Sequence, residues 1–322
     1  MDKRTRVFNA MDKKPVDHVP VGFWHHFEGA QATGEPCVQA HIDYVRGCDL
    51  DMVKVMSDSY FAYPVPDTIR EAKDWWELQP LGKDHPFLRD QVERACRIVA
   101  EIGGEMPVFY NVFAPFSSIR FGAGEDRIMS DLRRDRQAVL HALDIVARDN
   151  AELTEMLIRE AGCDGIYYCV QAGEANRFSP AEYRELVMPS DLYVLEHANR
   201  CSSYNILHCC SWAGDRNRLE LWKDYPAKCV NWGVYVEELS LPDGRYFFGD
   251  RACLGGFESL HREGMTHKGL LHNGTEQEIR AFTRDLILTF GKRGLILGAD
   301  CTLNEHIENE RIRWVTETAH SI

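Results

Sequence analysis

Short apolar runs alternate with longer stretches of helical periodicity along the whole 322-residue chain. Alternation of this kind is typical of parallel strands joined by helices. The runs that predict strands are Val19–Trp24, Met52–Met56, Val108–Phe113, Gly165–Val170, Tyr204–Cys209, Lys228–Trp232, Phe247–Leu254 and Gly294–Gly298. The stretches that predict helices are Gln91–Ile102, Arg136–Ala161, Pro180–Asn199, Thr275–Phe290 and Ile307–Ala319. About eight strands without a linker-like break favour an α/β fold, a TIM-type (β/α)8 barrel that forms one domain over residues 1–322.

Local signals support this interpretation. A doubly wound open sheet, the alternative fold, usually carries a glycine-rich phosphate-binding loop after an early strand. Neither G-x-G-x-x-G nor G-x-x-x-x-G-K-[ST] follows an early strand here. Two helix starts carry the capping-box spacing, Ser179 with Glu182 and Thr275 with Glu278.

Charge and composition exclude several classes of function. The chain has 37 basic and 50 acidic residues, a formal net charge of −13, and no basic block of the kind that nucleic-acid and anionic-membrane binders use. No apolar run approaches the roughly 18–20 residues of a membrane span, and no apolar signal region follows the N-terminus. The odd count of eleven cysteines favours reduced thiols. We therefore expect a cytoplasmic protein with no nucleic-acid or membrane partner.

Three residues stand where a barrel would bring them together. His208 and Cys210 are two positions apart, so both side chains point to the same side at the end of one strand, while Cys209 points away. Cys301 follows the run Gly294–Gly298, again at the carboxyl end of a predicted strand, where barrels build active sites. One imidazole and two thiolates suit zinc and leave a fourth position open. The bare spacing also fits buried core residues, and this alternative stays open.

Several spaced segments resemble the uroporphyrinogen decarboxylase superfamily over nearly the whole chain, and that family folds as a TIM-type barrel. The segments are Arg6-Val7-Phe8-Asn9-Ala10, Asp17-His18-Val19-Pro20-Val21, Ala114-Pro115-Phe116, Phe178-Ser179-Pro180-Ala181-Glu182-Tyr183, Val230-Asn231-Trp232 and Gly249-Asp250-Arg251-Ala252-Cys253-Leu254-Gly255-Gly256.

One branch of this superfamily comprises zinc methyltransferases, which move a methyl group from a methylated corrinoid protein to a thiol of the coenzyme M type. Their H-x-C and distant Cys signature is similar to His208, Cys210 and Cys301. The resemblance implies Zn²⁺ at these three residues, methylcobalamin supplied by a partner corrinoid protein, and a small thiol as acceptor. It is also compatible with a homodimer. Asp300 and Thr302 replace the glycines common around the last cysteine, which leaves the identity of the thiol open.

The decarboxylases of the haem pathway are the other branch, and this chain matches them less well. Their substrate-gripping arginines have no counterpart in the segment 22–28. Asp58 is the counterpart of their catalytic aspartate, but Phe121 stands for their active-site tyrosine and Cys301 for their histidine. A decarboxylase-type lyase, a zinc-dependent C–S alkyl transferase or lyase, and a barrel that only binds a ligand remain the alternatives.

Further candidates lie at or near predicted strand ends. The candidates for substrate binding are His25, His26, Phe116 and Gln171, and those for catalysis are Asp58 and Glu174. Asp58 is expected to orient the substrate or a zinc-ligating histidine, and Glu174 to supply the fourth zinc ligand when no substrate is bound. The alternatives are an aromatic patch at His25 and His26, a helix cap at Asp58 and a plain loop at Gln171 and Glu174.

Overall fold

A computed structural model describes residues 1–211, 214–259 and 269–322. Seven parallel strands form one sheet whose order follows the chain, so each strand pairs with the next. The strands are β1 (Val53–Val55), β2 (Val108–Phe113), β3 (Gly165–Val170), β4 (Ile206–Cys209), β5 (Cys229–Trp232), β6 (Ala252–Phe257) and β7 (Leu295–Ala299). This agrees with the predicted α/β class and with a barrel-like arrangement of parallel strands.

Helices precede, separate and follow the strands. They are α1 (Lys3–Met11), α2 (Gly34–Gly47), α3 (Pro86–Ile102), α4 (Pro115–Ala123), α5 (Glu125–Arg134), α6 (Arg136–Arg159), α7 (Pro180–Leu186), α8 (Met188–Cys201), α9 (Leu241–Phe247), α10 (Leu270–Asn273), α11 (Glu276–Phe290) and α12 (Asn309–His320). Short 3₁₀ segments lie at Gly29–Ala32, Ala72–Glu77 and Leu219–Leu221. Within the described residues, no helix is long and apolar enough to cross a membrane.

The first predicted strand, Val19–Trp24, forms one isolated bridge instead of a regular strand. Val21 pairs in parallel with Leu297 of β7, and Leu297 N–H donates to Pro20 O at 2.9 Å. On the other side, Asp51 N–H donates to Val21 O at 2.8 Å, while Val21 N–H donates to the Asp51 carboxylate at 2.8 Å. A regular ladder fails because a side chain takes one backbone donor and Pro20 has no N–H. The segment therefore contacts both β7 and Asp51, which lies two residues before β1.

Other boundaries also differ from the predictions, and the predicted helix Gln91–Ile102 begins at Pro86. The predicted strand Phe247–Leu254 begins only at Ala252, because Gly249 and Asp250 adopt positive φ angles of 72° and 60° that end α9 in a turn. The predicted helix Pro180–Asn199 is divided into α7 and α8, because Pro189 has no N–H to donate to the carbonyl of Glu185 four residues earlier, and it stands instead in the first turn of α8. Both capping boxes, at Ser179 and Thr275, are confirmed.

Candidate metal centre

Four metal-ligating side chains lie at the carboxyl ends of three strands. Cys169 is in β3, His208 is in β4, and Cys210 comes directly after β4. Cys301 lies two residues beyond β7. Cys169 and His208 are register partners in the parallel β3–β4 pair, so their backbones are adjacent. The sheet therefore collects three thiols and one imidazole at one edge.

The distances in this group match the edges of a zinc tetrahedron. Cys210 Sγ lies 3.9 Å from Cys301 Sγ, and Cys301 Sγ lies 3.6 Å from His208 Nε2. Zinc–sulfur bonds of about 2.3 Å and zinc–nitrogen bonds of about 2.0–2.1 Å place tetrahedral ligand atoms about 3.6–3.8 Å apart. The ligand atoms of Cys169, His208 and Cys210 also lie within 4.8 Å of one another. The donor set and its spacing fit zinc.

The orientation of His208 is fixed by Asn231 of β5. The Asn231 amide group donates to Leu254 O at 2.8 Å and to Ala299 O at 3.0 Å, so its Oδ1 faces the opposite way. That oxygen accepts from Tyr167 Oη at 2.7 Å and hydrogen-bonds to His208 Nδ1. Because Oδ1 can only accept, Nδ1 must carry the hydrogen and Nε2 keeps a free lone pair toward Cys301. Asn231 thus sets the tautomer that a metal ligand needs.

Contact and burial disfavour the thiolate forms of Cys210 and Cys301. The pKa of Cys210 is raised above its ordinary range, first by its contact with Cys169 and then by burial. The contact with Cys210, followed by burial, raises the pKa of Cys301 to about 12. Zinc binding displaces protons from thiols, so we expect metal uptake here to release protons and to weaken as the pH falls.

The group opens into a pocket with an empty volume of about 650 Å³. Phe61, Phe113 and Phe121 form an aromatic part of its wall. Lys54, the central residue of β1, also lines it, and its Nζ lies 4.4 Å from the Trp24 ring centroid and 3.9 Å from that of Tyr167. Burial lowers the pKa of Lys54 to about 8.

Lys54 and Asn231 were not singled out from the sequence. The sequence signal that could have identified Lys54 is its position as a charged residue in the middle of the apolar run Met52–Met56. Asn231 was noted only as part of a family-like segment, and its hydrogen bonds depend on four other strands, β3, β4, β6 and β7.

Of the residues predicted near the ends of the first two strands, His26 and Asp58 lie at the pocket and His25 does not. His26 lines the pocket, its Nδ1 lies 2.6 Å from Asp58 Oδ1, and Asp58 Oδ2 accepts from Phe27 N–H at 2.8 Å. Asp58 therefore orients His26, whereas His208 is oriented by Asn231. His25 lies beside Phe27 instead, where burial lowers its pKa.

The remaining predicted residues have different surroundings. Gln171 lines the pocket, donates to Cys210 Sγ at 3.5 Å and accepts from Arg120. Glu174 is buried and pairs with Arg177 at 3.0 Å. Phe116 is buried and packs against Phe178, with ring centroids 5.5 Å apart. The structure thus brings Gln171 and His26 to the pocket of the cysteine group, which is Cys169, Cys210, Cys301 and His208. Phe116 belongs to the core.

Comparisons with known proteins agree with this architecture. The family model of uroporphyrinogen decarboxylase (URO-D) matches residues 2–322. A methyltransferase from Methanosarcina mazei superposes with a TM-score of 0.73 over 100% of this chain and 99% of that one, at 15% identity. A B12-independent methionine synthase from Shewanella sp. W3-18-1 superposes with a TM-score of 0.57 over 95% and 94%, at 11% identity. At these identities the two structures show a shared fold. No curated protein sequence matches the chain.

Proposed function

The chain belongs to the uroporphyrinogen decarboxylase family, and on that premise we propose that it is a zinc-dependent methyltransferase. Its substrates would be a methylated corrinoid carried by a partner protein and a small thiol acceptor. The observation that carries this proposal is the spacing of His208, Cys210 and Cys301, 3.6 and 3.9 Å along two edges. We also propose that the chain is one domain, a TIM-type barrel in which the segment Val19–Trp24 takes the eighth position.

His208, Cys210 and Cys301 would hold the zinc ion. When bound there, zinc lowers the pKa of an acceptor thiol and so supplies a nucleophilic sulfur at neutral pH. Asn231 accepts from His208 Nδ1 and so leaves the lone pair of the neutral ring on Nε2. Gln171 donates a hydrogen bond to Cys210 Sγ and thereby moderates the negative charge on that sulfur.

The pocket residues suit the transfer of a methyl group from a corrinoid to a small thiol. Phe61, Phe113 and Phe121 give an apolar wall against which a methyl group can lie without losing hydrogen bonds. Lys54 places a positive charge beside the sulfur atoms. His26, held by Asp58, stands at the mouth, where its exposed ring can contact an entering substrate. Because the barrel carries no corrinoid-binding motif of the D-x-H-x-x-G type, the corrinoid would reach this mouth on a partner.

Porphyrinogen decarboxylation is the second candidate, because it is the reaction for which the matching family is named. Its substrate has eight carboxylates, which need several cations. The residues that line this pocket in the described part of the chain include Lys54 and His26 but no arginine. Phe121 lines it at the position where the decarboxylases have a tyrosine. These features favour the methyltransferase.

A thiol screen tests the proposal. The zinc-loaded and the metal-free chain are each mixed with methylcobalamin and a panel of small thiols, and demethylation is followed by the cobalamin spectrum. We expect turnover with zinc and a large loss without it. Metal-independent release of CO₂ from uroporphyrinogen would instead support the decarboxylase. Reaction of thiols only with other alkyl donors would indicate a C–S alkyl transferase. Binding of a thiol or corrinoid without turnover would indicate a barrel that only binds its ligand.

A further inference from the structure

A third thiol lies beside the three proposed ligands. Cys169 Sγ lies within 4.8 Å of both the Cys210 sulfur and a ring nitrogen of His208. Cys169 is on the same side of β3 as Tyr167, two residues earlier, and it lines the same pocket. We propose that Cys169 is the fourth protein ligand of the zinc centre, an inference that rests on the proposed function. It differs from the expectation that Glu174 supplies this ligand.

The other oxygen donors near the site are already engaged. Glu174 Oε2 accepts from Arg177 at 3.0 Å, and its Oε1 lies 3.9 Å from Arg120 Nη1. Two guanidinium groups compete with a metal for that carboxylate. The side-chain oxygen of Gln171 accepts from Arg120, while its amide nitrogen faces Cys210. The sulfur of Cys169, by contrast, already lies at the cluster.

A positive charge in the pocket, that of Lys54, suits a site with three thiolates. Three thiolates exceed the charge of Zn²⁺ by one negative unit, which is costly in a buried site without a counter-charge. Lys54 is buried in the same pocket, and its charged form is favoured by Cys169, Cys301 and Cys210. In the described part of the chain its Nζ faces aromatic rings and sulfurs, with no carboxylate at ion-pair distance. Lys54 therefore balances the third thiolate.

A fourth protein ligand changes how an acceptor enters. Zinc sites with four protein ligands are closed, so a thiol binds only by replacing one of them. If an acceptor thiol replaced Cys169 at a zinc ion held there, its proton would leave on Cys169 Sγ, and the number of thiolates and the net charge would stay the same. Cys169 would thus occupy the fourth position whenever no acceptor thiol is bound.

Zinc K-edge absorption of the zinc-loaded full chain counts its sulfur ligands. We expect three sulfurs and one nitrogen in the wild type and two sulfurs in Cys169→Ser. Cys209→Ser is the matched control, because it changes a buried cysteine of β4 that belongs to the apolar core, and it should keep three sulfurs.

Two sulfurs in the wild type that persist in Cys169→Ser would overturn this inference and leave the proposed function intact. A wild type without bound zinc would overturn the proposed function as well. If Cys169→Ser does not fold, the wild-type count still decides, and Cys169→Ala, which adds no hydroxyl to a buried site, gives the second variant.

Discussion

The two ends of the sheet both bury polar groups, but they satisfy them differently. At the amino end, Arg6 of α1 donates to Asp51 at 2.5 Å and to Asp17 at 2.8 Å, and Asp51 also accepts from Val21 N–H. At the carboxyl end, Lys54 and the thiols face an open pocket. Paired charges of the first kind stabilise a fold, whereas donors that converge on an open pocket are arranged for a ligand.

The amino end shows that donor atoms alone do not make a metal site. His18, Asp51 and His320 also place ligand atoms within 4.8 Å of one another. Asp51, however, is paired with the Arg6 guanidinium, whose positive charge opposes a second cation. In the described part of the chain, no guanidinium is paired with a thiol of the cysteine group. The cation in its pocket, Lys54, offsets the charge of thiolates, and Asn231 holds the histidine in the tautomer that leaves Nε2 free.

The largest expected effect is a loss of folding stability when a buried charge pair at the amino end of the sheet is removed. Asp51→Ala leaves Arg6 buried with one carboxylate partner, so we expect the free energy of unfolding in urea to fall by about 3–5 kcal/mol. Zinc content should be unchanged in the folded fraction. Asp17→Ala is the control, because this carboxylate is 37% exposed and should cost only about 0–1 kcal/mol. Equal losses for the two variants would contradict the comparison.

At the carboxyl end, Asn231→Ala removes the acceptor that fixes the His208 tautomer. Loss of such a partner weakens metal binding about 10–100-fold, and a competition titration with a chelator measures the change. Asn111→Ala is the control, since Asn111 also lines the pocket but donates to Ser57 Oγ at 2.9 Å. A zinc affinity as weak in Asn111→Ala as in Asn231→Ala would show that general packing, and not the tautomer, is responsible.

A smaller effect depends on pH. Burial, followed by the charges of Arg6 and His320, lowers the pKa of His18 to about 4 in the folded chain from an ordinary 6.5. The folded state therefore gains stability above pH 6.5 that is lost as the pH falls toward 4. With allowance for partial exposure, we expect His18 to account for about 1–2 kcal/mol of this loss. The free energy of unfolding in urea should fall less between pH 7 and pH 5 in His18→Gln than in the wild type. An equal fall in the two proteins would contradict this role of His18.

The sequence predicted the strand order and the meeting of His208, Cys210 and Cys301, because the carboxyl ends of parallel strands share one edge. It did not predict Cys169 or Asn231 at the site, because their positions depend on the register between neighbouring strands, which no spacing along one strand reveals. The irregular first strand was missed because an Asp51 side chain replaces a backbone acceptor. The predicted roles of Asp58 and Glu174 stay predictions, although their partners are His26 and Arg177.

Zinc content tests the central claim most directly. The purified wild-type chain and the double variant Cys210→Ser/Cys301→Ser are analysed for metal after exhaustive dialysis, with Cys209→Ser as the control. We expect about one zinc ion per chain in the wild type and the control, and close to none in the double variant. A wild type without zinc, or a double variant that retains it, would contradict the proposed metal centre.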